Sequence, residues 1–343
     1  MAVLSLSQIS KDFTVGVRPL FKPQRRLRAL RDVTLELDRG DIVAVVGESG
    51  CGKSTLARIA AGVMDPTSGS IRIQGTDLKD VSRTKARELR RSVQIVHQDP
   101  YAALNPTMTV YQTLSAPLLI HRMVPKGQVQ ARVVELLRMV GLNERHLQKY
   151  PNELSGGQRQ RVVLARAFTV RPDVIVADEA VSAIDVSMRQ TILSVMQRIH
   201  DEEGTAYLFI THDLGLARYF AHSGTLAVMY AGRVMEYGET EAVIKGPRHP
   251  YTAILRQAVP DPDPEVNQPQ DLIPVRSTEL PDLTQEQTGC AFSTRCPFAV
   301  DRCLSEVPVL RPVGPGAGNP VFVACHRAEE LDLPQEEADV ELA

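Results

Sequence analysis

Apolar residues in this chain follow two rhythms. Unbroken runs occupy Ile42–Val46, Val174–Ala177 and Ala206–Ile210, and Val93–Val96 is broken only by Gln94. Runs this short and this rich in β-branched residues predict strands buried on both faces, as in a parallel sheet. Looser alternation predicts further strands over 3–15, 33–37 and 71–74, the last of edge type. Leu226–Tyr230 and Arg233–Tyr237 flank Ala231-Gly232 and predict a hairpin.

The second rhythm is helical. Residues 78–91 are charged and helical in spacing, and 188–203 reads as an amphipathic helix. From about 101 to 171 helical spacing dominates, as in Val129, Val133, Leu136, Leu137 and Val140, with Gly141 as the cap. This stretch reads as a helical subdomain inserted into an α/β domain spanning 1–245. After Gly246-Pro247 prolines are dense and periodicity is weak, so 246–327 is expected to be a small irregular extension. Residues 328–343 are acidic and predict a disordered tail.

Composition changes this picture little. A length of 343 residues suits one large domain plus one small one. The formal charge of −2 argues against bulk affinity for nucleic acid. No apolar run approaches the ~18 residues that a membrane span needs. The first residues lack the charged and apolar regions of a signal peptide. The expectation is a cytosolic protein whose membrane role, if any, comes through a partner. Residues 16–28 form a basic stretch with no acid and read as a solvated loop, or as one lying near phosphates or lipid head groups.

The candidate chemistry begins at Gly47-Glu48-Ser49-Gly50-Cys51-Gly52-Lys53-Ser54-Thr55. A buried strand precedes it and a helical stretch follows, which is the context a phosphate-binding loop requires. Glycines let successive backbone N–H groups point at one spot, and the helix behind adds its positive end. Lys53 is expected to reach the β- and γ-phosphates and Ser54 to ligate Mg²⁺.

A second anion-binding signal lies about a hundred residues on: Leu154-Ser155-Gly156-Gly157-Gln158 at a predicted helix start. One chain rarely needs two such sites for one nucleotide. The economical geometry sets Ser155 against the γ-phosphate held by a second subunit. Here the chain resembles the ATP-binding cassette (ABC) family, whose signature is LSGGQ.

The resemblance implies a RecA-like α/β core with an antiparallel β part and an inserted helical subdomain. It implies that Phe13 stacks on adenine and that Gln98 touches Mg²⁺ beside the membrane subunit. Asp178 matches the carboxylate that holds Mg²⁺, and Glu179 the base that polarises the attacking water. Ser182-Ala183-Ile184-Asp185 resembles the loop that contacts the opposite subunit, and His212 the histidine at the γ-phosphate. Ala180 departs from the proline common after the glutamate, but every reacting group is retained. Intact Lys53, Asp178, Glu179 and His212 argue against a regulatory subunit with dead chemistry. A soluble relative acting on DNA or ribosomes would be expected to show a coiled coil, zinc insertions or tandem cassettes; this chain has one cassette and no heptad run.

Gln98-Asp99-Pro100-Tyr101-Ala102-Ala103-Leu104-Asn105-Pro106, Tyr150-Pro151-Asn152-Glu153 and His249-Pro250-Tyr251-Thr252 narrow the resemblance to oligopeptide/dipeptide importers. They resemble the second, F-type ATPase subunit of such systems. The implied partners are a sister ATPase in a heterodimer, two transmembrane permeases and an extracytoplasmic solute-binding protein. The implied place is the cytoplasmic face of the membrane. Nickel, glutathione or oligosaccharide uptake is the alternative to peptides, since selectivity resides in other chains.

Five cysteines in a chain expected to be cytosolic argue against a disulfide framework. Cys51 lies in the phosphate loop. Cys290, Cys296, Cys303 and Cys325 cluster in the proline-rich segment and suggest a metal clip. Spacing alone leaves zinc, an iron–sulfur cluster and free thiols open. The resemblance to peptide importers favours [4Fe–4S], with Zn²⁺ as the alternative. Because these cysteines lie outside every nucleotide motif, their expected role is structural or oxidant-sensing, apart from ATP binding.

Overall fold

The structure, a computed structural model, describes residues 2–16, 25–182, 184–259, 272–279, 281–314 and 320–335. The amino-terminal part runs β1 (Leu4–Val15), β2 (Arg25–Leu37), β3 (Ile42–Val46), α1 (Lys53–Ala60), β4 (Ser68–Ile73), β5 (Thr76–Asp77), α2 (Arg83–Arg91) and β6 (Val93–Val96). Helices follow: α3 (Pro100–Ala103), α4 (Val110–Ile120), α5 (Val129–Met139) and α6 (Gly156–Ala167). Then come β7 (Val174–Asp178), α7 (Val186–Glu203), β8 (Ala206–Thr211), α8 (Leu214–Phe220), β9 (Thr225–Tyr230), β10 (Arg233–Glu239) and α9 (Thr240–Lys245). The carboxy-terminal part holds α10 (Pro250–Gln257), α11 (Asp301–Ser305), β11 (Arg311–Val313) and β12 (Val321–Val323).

The strands form two sheets. One is antiparallel, in the order β2-β1-β4-β5; the other has the order β11-β12-β10-β9-β3-β8-β7-β6. Within it β9, β3, β8, β7 and β6 pair in parallel. Both faces of the inner strands β3, β7 and β8 are covered, which is why their sequences are nearly unbroken apolar runs. Val43, Val45, Leu208 and Ile210 face a core shared with α1 and with Leu4, Leu6 and Leu30 of the antiparallel sheet. Ala44, Val46, Tyr207 and Phe209 face the opposite way, onto α7 and the helices between β6 and β7. Helix α1 therefore packs against both sheets, and Leu56, Ile59 and Ala60 are fully buried there.

Three elements differ from expectation. Strand β2 begins at Arg25, well before 33, because its ladder with β1 continues to the pair Val15↔Arg25. The arginines of that end hide the strand from any apolar pattern. Helix α2 starts at Arg83 instead of 78, since Thr76–Asp77 forms a short strand and Ser82 caps the helix, accepting from Lys85 N–H at 3.3 Å. Acidic composition predicts disorder from Ala328 onward, yet residues 328–335 pack on the body. Ala328 and Leu333 are buried, and Pro334 O accepts from Arg256 Nη2 at 2.8 Å. Residues 336–343 and most of the basic stretch, 17–24, lie outside the described residues. Among the described residues beyond Gly246, regular structure is limited to α10, α11, β11 and β12. Even so, β12 joins the central sheet through the pairs Glu236↔Val323 and Tyr237↔Phe322.

Glu236, on β10, is fully buried where that sheet meets the extension. It accepts from Arg248 N–H at 2.7 Å and His249 N–H at 3.0 Å. Burial pushes its carboxyl up to about 7, against the pull of Thr252 and the two N–H groups. Stability from this group is full below the unfolded carboxyl range and is lost as pH rises through about 7. Burial pushes neighbouring His249 down to about 3, which works in the opposite sense, its contribution being lost as pH falls. The expected outcome therefore concerns a difference. The gap in melting temperature between the wild-type chain and Glu236→Gln should shift against the wild type as pH rises from about 5 to about 8. A gap that stays constant across that range contradicts the assignment.

Candidate nucleotide site

The loop between β3 and α1 is held by close backbone approach. A Cβ on Gly47 would sit 2.1 Å from Met229 O, and one on Gly52, at φ +108°, would sit 2.4 Å from Ala29 O. Only glycine fits at either place. Met229 belongs to the central sheet and Ala29 to the antiparallel one, so the loop is pinned between them. Lys53 is buried, and its ammonium donates to Gly47 O at 2.6 Å and Glu48 O at 3.1 Å. Its charge is thus held over the loop.

The carboxyl ends of β7 and β8 deliver the other groups. Ser54 Oγ donates to Asp178 Oδ1 at 3.1 Å. These two oxygens are the donor set a hard cation such as Mg²⁺ takes. Burial pushes the Asp178 carboxyl up, and the Ser54 hydrogen bond pulls it back. Glu179 follows with φ +50°, a left-handed backbone unusual for glutamate. Its N–H donates to Ile210 O at 2.9 Å, which holds the turn. Its Oε2 lies 3.3 Å from His212 Nδ1. Strained backbone of this kind clusters at functional sites.

One cleft gathers most of these groups. Phe13, Leu27 and Ala29 line one part, Ser49, Gly50 and Gly52–Thr55 the floor, and Glu179 another wall. At about 250 Å³ the cleft is smaller than the ~300–1,000 Å³ of sites that enclose a whole ligand. Lys53, Ser54, Asp178, Glu179 and His212 thus come together. Gln98 is exposed just beyond β6 and is not among the residues that line the cleft. Glu48 and Cys51 line a neighbouring hollow with Tyr230. Burial pushes the Cys51 thiol up, which keeps it protonated.

Ser155 to Gln158 also stand apart from this cleft. Ser155 caps α6, its Oγ accepting from Gln158 N–H at 3.3 Å while Gln158 Oε1 accepts from Ser155 N–H at 3.1 Å. Ser155 and Gly156 are exposed, so this helix end is open to a ligand from outside the chain.

Two residues of the carboxy-terminal extension reach the loop without any sequence signal. Leu283 lines the cleft, held there by Arg28 N–H donating to Leu283 O at 3.1 Å. Arg295 forms an ion pair with Glu48 at 2.7 Å.

Cys290, Cys296, Cys303 and Cys325 line a single cavity together with His249, Phe292 and His326. Burial pushes Cys290 up to about 12 and Cys325 up to about 11, and raises Cys296 as well. Among the described residues no three His, Cys, Asp or Glu side chains close tightly enough to hold a single ion.

No helix among the described residues is long and apolar enough to cross a membrane.

Comparison with known proteins gives the family. The ABC transporter family model matches residues 30–182, and that of the oligopeptide/dipeptide transporter C-terminal region matches 235–303. The chain is 43% identical over 329 residues to the di/tripeptide transport ATP-binding protein DppF of Pseudomonas aeruginosa, covering 96% of this chain and 98% of the relative. It is 39% identical to the dipeptide transport ATP-binding protein DppF of Escherichia coli, covering 97% and 96%. A similar solved structure is a dimeric ATP-binding cassette in a post-hydrolysis state bound to ADP and Pi. It is 28% identical with a TM-score of 0.59, covering 69% of this chain and 98% of its own. With both family models matched in order and relatives aligned over nearly its whole length, this chain belongs to the ABC transporter ATPases that carry the oligopeptide/dipeptide transporter C-terminal region.

Proposed function

We propose that this chain is the ATP-hydrolysing subunit of an ABC importer that takes up di- or oligopeptides. The observation that carries the proposal is the meeting of Lys53, Ser54, Asp178, Glu179 and His212 in and beside one open cleft. The solute follows from the relatives, which are peptide-transport ATP-binding proteins by name.

In this reading Phe13 meets the adenine and Lys53 the β- and γ-phosphates. Ser54 and Asp178 hold Mg²⁺, and Gln98, which does not line the cleft of the single chain, joins them when nucleotide is bound. Glu179, oriented by His212, takes the proton of a water that attacks the γ-phosphorus. The β–γ P–O bond breaks and leaves ADP and phosphate. His212 also contacts the γ-phosphate. The small cleft and the exposed Ser155 helix end support a site shared between two subunits. Ser155, Gly156, Gly157 and Gln158 then cap ATP bound on the partner, a sister ATPase in a heterodimer. Closure requires γ-phosphate and is coupled to two permease subunits near Gln98, so nucleotide and transporter bias one closed–open equilibrium. An extracytoplasmic binding protein delivers the solute, and the chain sits peripherally on the cytoplasmic side.

For the four cysteines we propose a [4Fe–4S] cluster. What supports it is the donor set: four thiols line one cavity in a segment with little core of its own. A bound cation would reverse the effect of burial and favour the thiolates. Zn²⁺ uses the same donors and is the reading to be excluded by measurement.

Two outcomes follow. Glu179→Gln, measured in the assembled complex, should keep ATP binding and lose turnover by about 10²–10⁴-fold, the range for a positioned base. Near-normal turnover would remove Glu179 from that role. Protein purified without oxygen should contain about four irons per chain and lose them in Cys296→Ser. One zinc per chain would favour the alternative, and unchanged metal content in the variant would dismiss the four-thiol site.

A further inference from the structure

The four-cysteine segment and the phosphate loop meet at Glu48. Its N–H, its carbonyl and one carboxylate oxygen are all engaged. Its N–H donates to Tyr251 Oη at 2.9 Å, its carbonyl accepts from Lys53 Nζ at 3.1 Å, and its Oε2 accepts from Arg295 Nη1 at 2.7 Å. Tyr251 and Arg295 belong to the extension; Lys53 is the residue that meets phosphate. Glu48 therefore joins the two.

Arg295 is itself fixed from several sides. It is buried, donates from Nε to Ser277 O at 3.2 Å and from Nη1 to Tyr230 Oη at 3.3 Å. Its place in the chain matters most. It lies in the tight turn between Cys290 and Cys296, where Ser293 N–H bonds Cys290 O at 3.0 Å and Cys296 N–H bonds Phe292 O at 2.9 Å. Phe292, in the same turn, is fully buried against Tyr230 at 5.2 Å and Tyr251 at 5.3 Å between ring centres. A five-residue turn clamped by a packed ring and by its own hydrogen bonds moves as a unit. Displacing either cysteine displaces the guanidinium, and a buried charge left without its partner is costly.

We propose that Arg295 is a positioning residue for ATP: it holds the phosphate loop through Glu48, so the nucleotide site reads whether the four-cysteine unit is intact. This rests on ATP being the ligand of the Lys53 loop. It also reverses the expectation that the cysteines stand apart from nucleotide binding. Leu283, on the same extension, lines the cleft and gives the extension a second contact there.

The test is equilibrium binding of a fluorescent ATP analogue to the full chain, at a temperature where circular dichroism shows each variant folded. Arg295→Met and Glu48→Gln should each raise the Kd about five- to fifty-fold, with the double variant no weaker than either single one, since both break one contact. Arg295→Lys should recover part of the loss by restoring the charge. Cys303→Ser should weaken binding in the wild-type background and add nothing to Arg295→Met. A purely structural ion pair would lower the melting temperature and leave the Kd of the folded variants at the wild-type value, which overturns the proposal. Losses that multiply in the double variant also overturn it. A wild-type chain that does not bind ATP would overturn the nucleotide reading itself, and the link with it.

Discussion

The rest of the site depends on a steric constraint: the loop between β3 and α1 is squeezed between two backbone carbonyls. Ala29 O presses on Gly52 from the antiparallel sheet, and Met229 O presses on Gly47 from the central one. No side chain fits in either gap, so the loop has one path from β3 into α1. Along that path Lys53 lies over the carbonyls of Gly47 and Glu48, and Ser54 reaches Asp178. The two sheets are held at the necessary separation by α1, whose Leu56, Ile59 and Ala60 share one core with both. Burying a side chain such as Leu56 stabilises by about 1.5–3 kcal/mol. The same packing that stabilises the fold therefore sets the geometry of the loop.

The parallel strands then bring chemistry to the loop by ending beside it. β3, β8 and β7 are neighbours, and their carboxyl ends carry the loop, His212, and Asp178 with Glu179. Binding at the carboxyl ends of parallel strands is a general consequence of this architecture. The extension changes that general scheme. It adds β12 to the sheet, packs Phe292 against Tyr230 and Tyr251, and closes on Glu48 through Arg295. It is thus bonded to the loop between β3 and α1 as well as to the scaffold.

What could be read from the sequence was what is local. The loop, the signature and the strand-end residues each announce themselves within about ten residues, because their chemistry needs fixed spacing along one turn. The buried strands were legible because both faces are covered. Strand β2 was only half legible, since its first turns carry arginines and hold their place by pairing with β1. Residues 328–335 were misread because acidic composition outweighed Leu333, which tertiary packing buries. Leu283 and Arg295 were not legible at all. They lie more than two hundred residues from the loop they touch, in a segment with no periodicity to predict where it folds back. Gln98 marks the other limit: its match to the family is by order in the chain, and it is exposed and does not line the cleft.

The central claim is that this chain supplies half of each of two ATP sites, with Lys53 at one and Ser155 at the other. The most direct measurement is a structure by electron cryomicroscopy of the assembled transporter, trapped with ATP in the Glu179→Gln background. The account predicts two nucleotides at the interface between the ATPase subunits. One has its γ-phosphate between Lys53 of this chain and the partner's signature serine; the other is capped by Ser155. ATP contacted by a single chain, with Ser155 facing solvent in the closed complex, would contradict it.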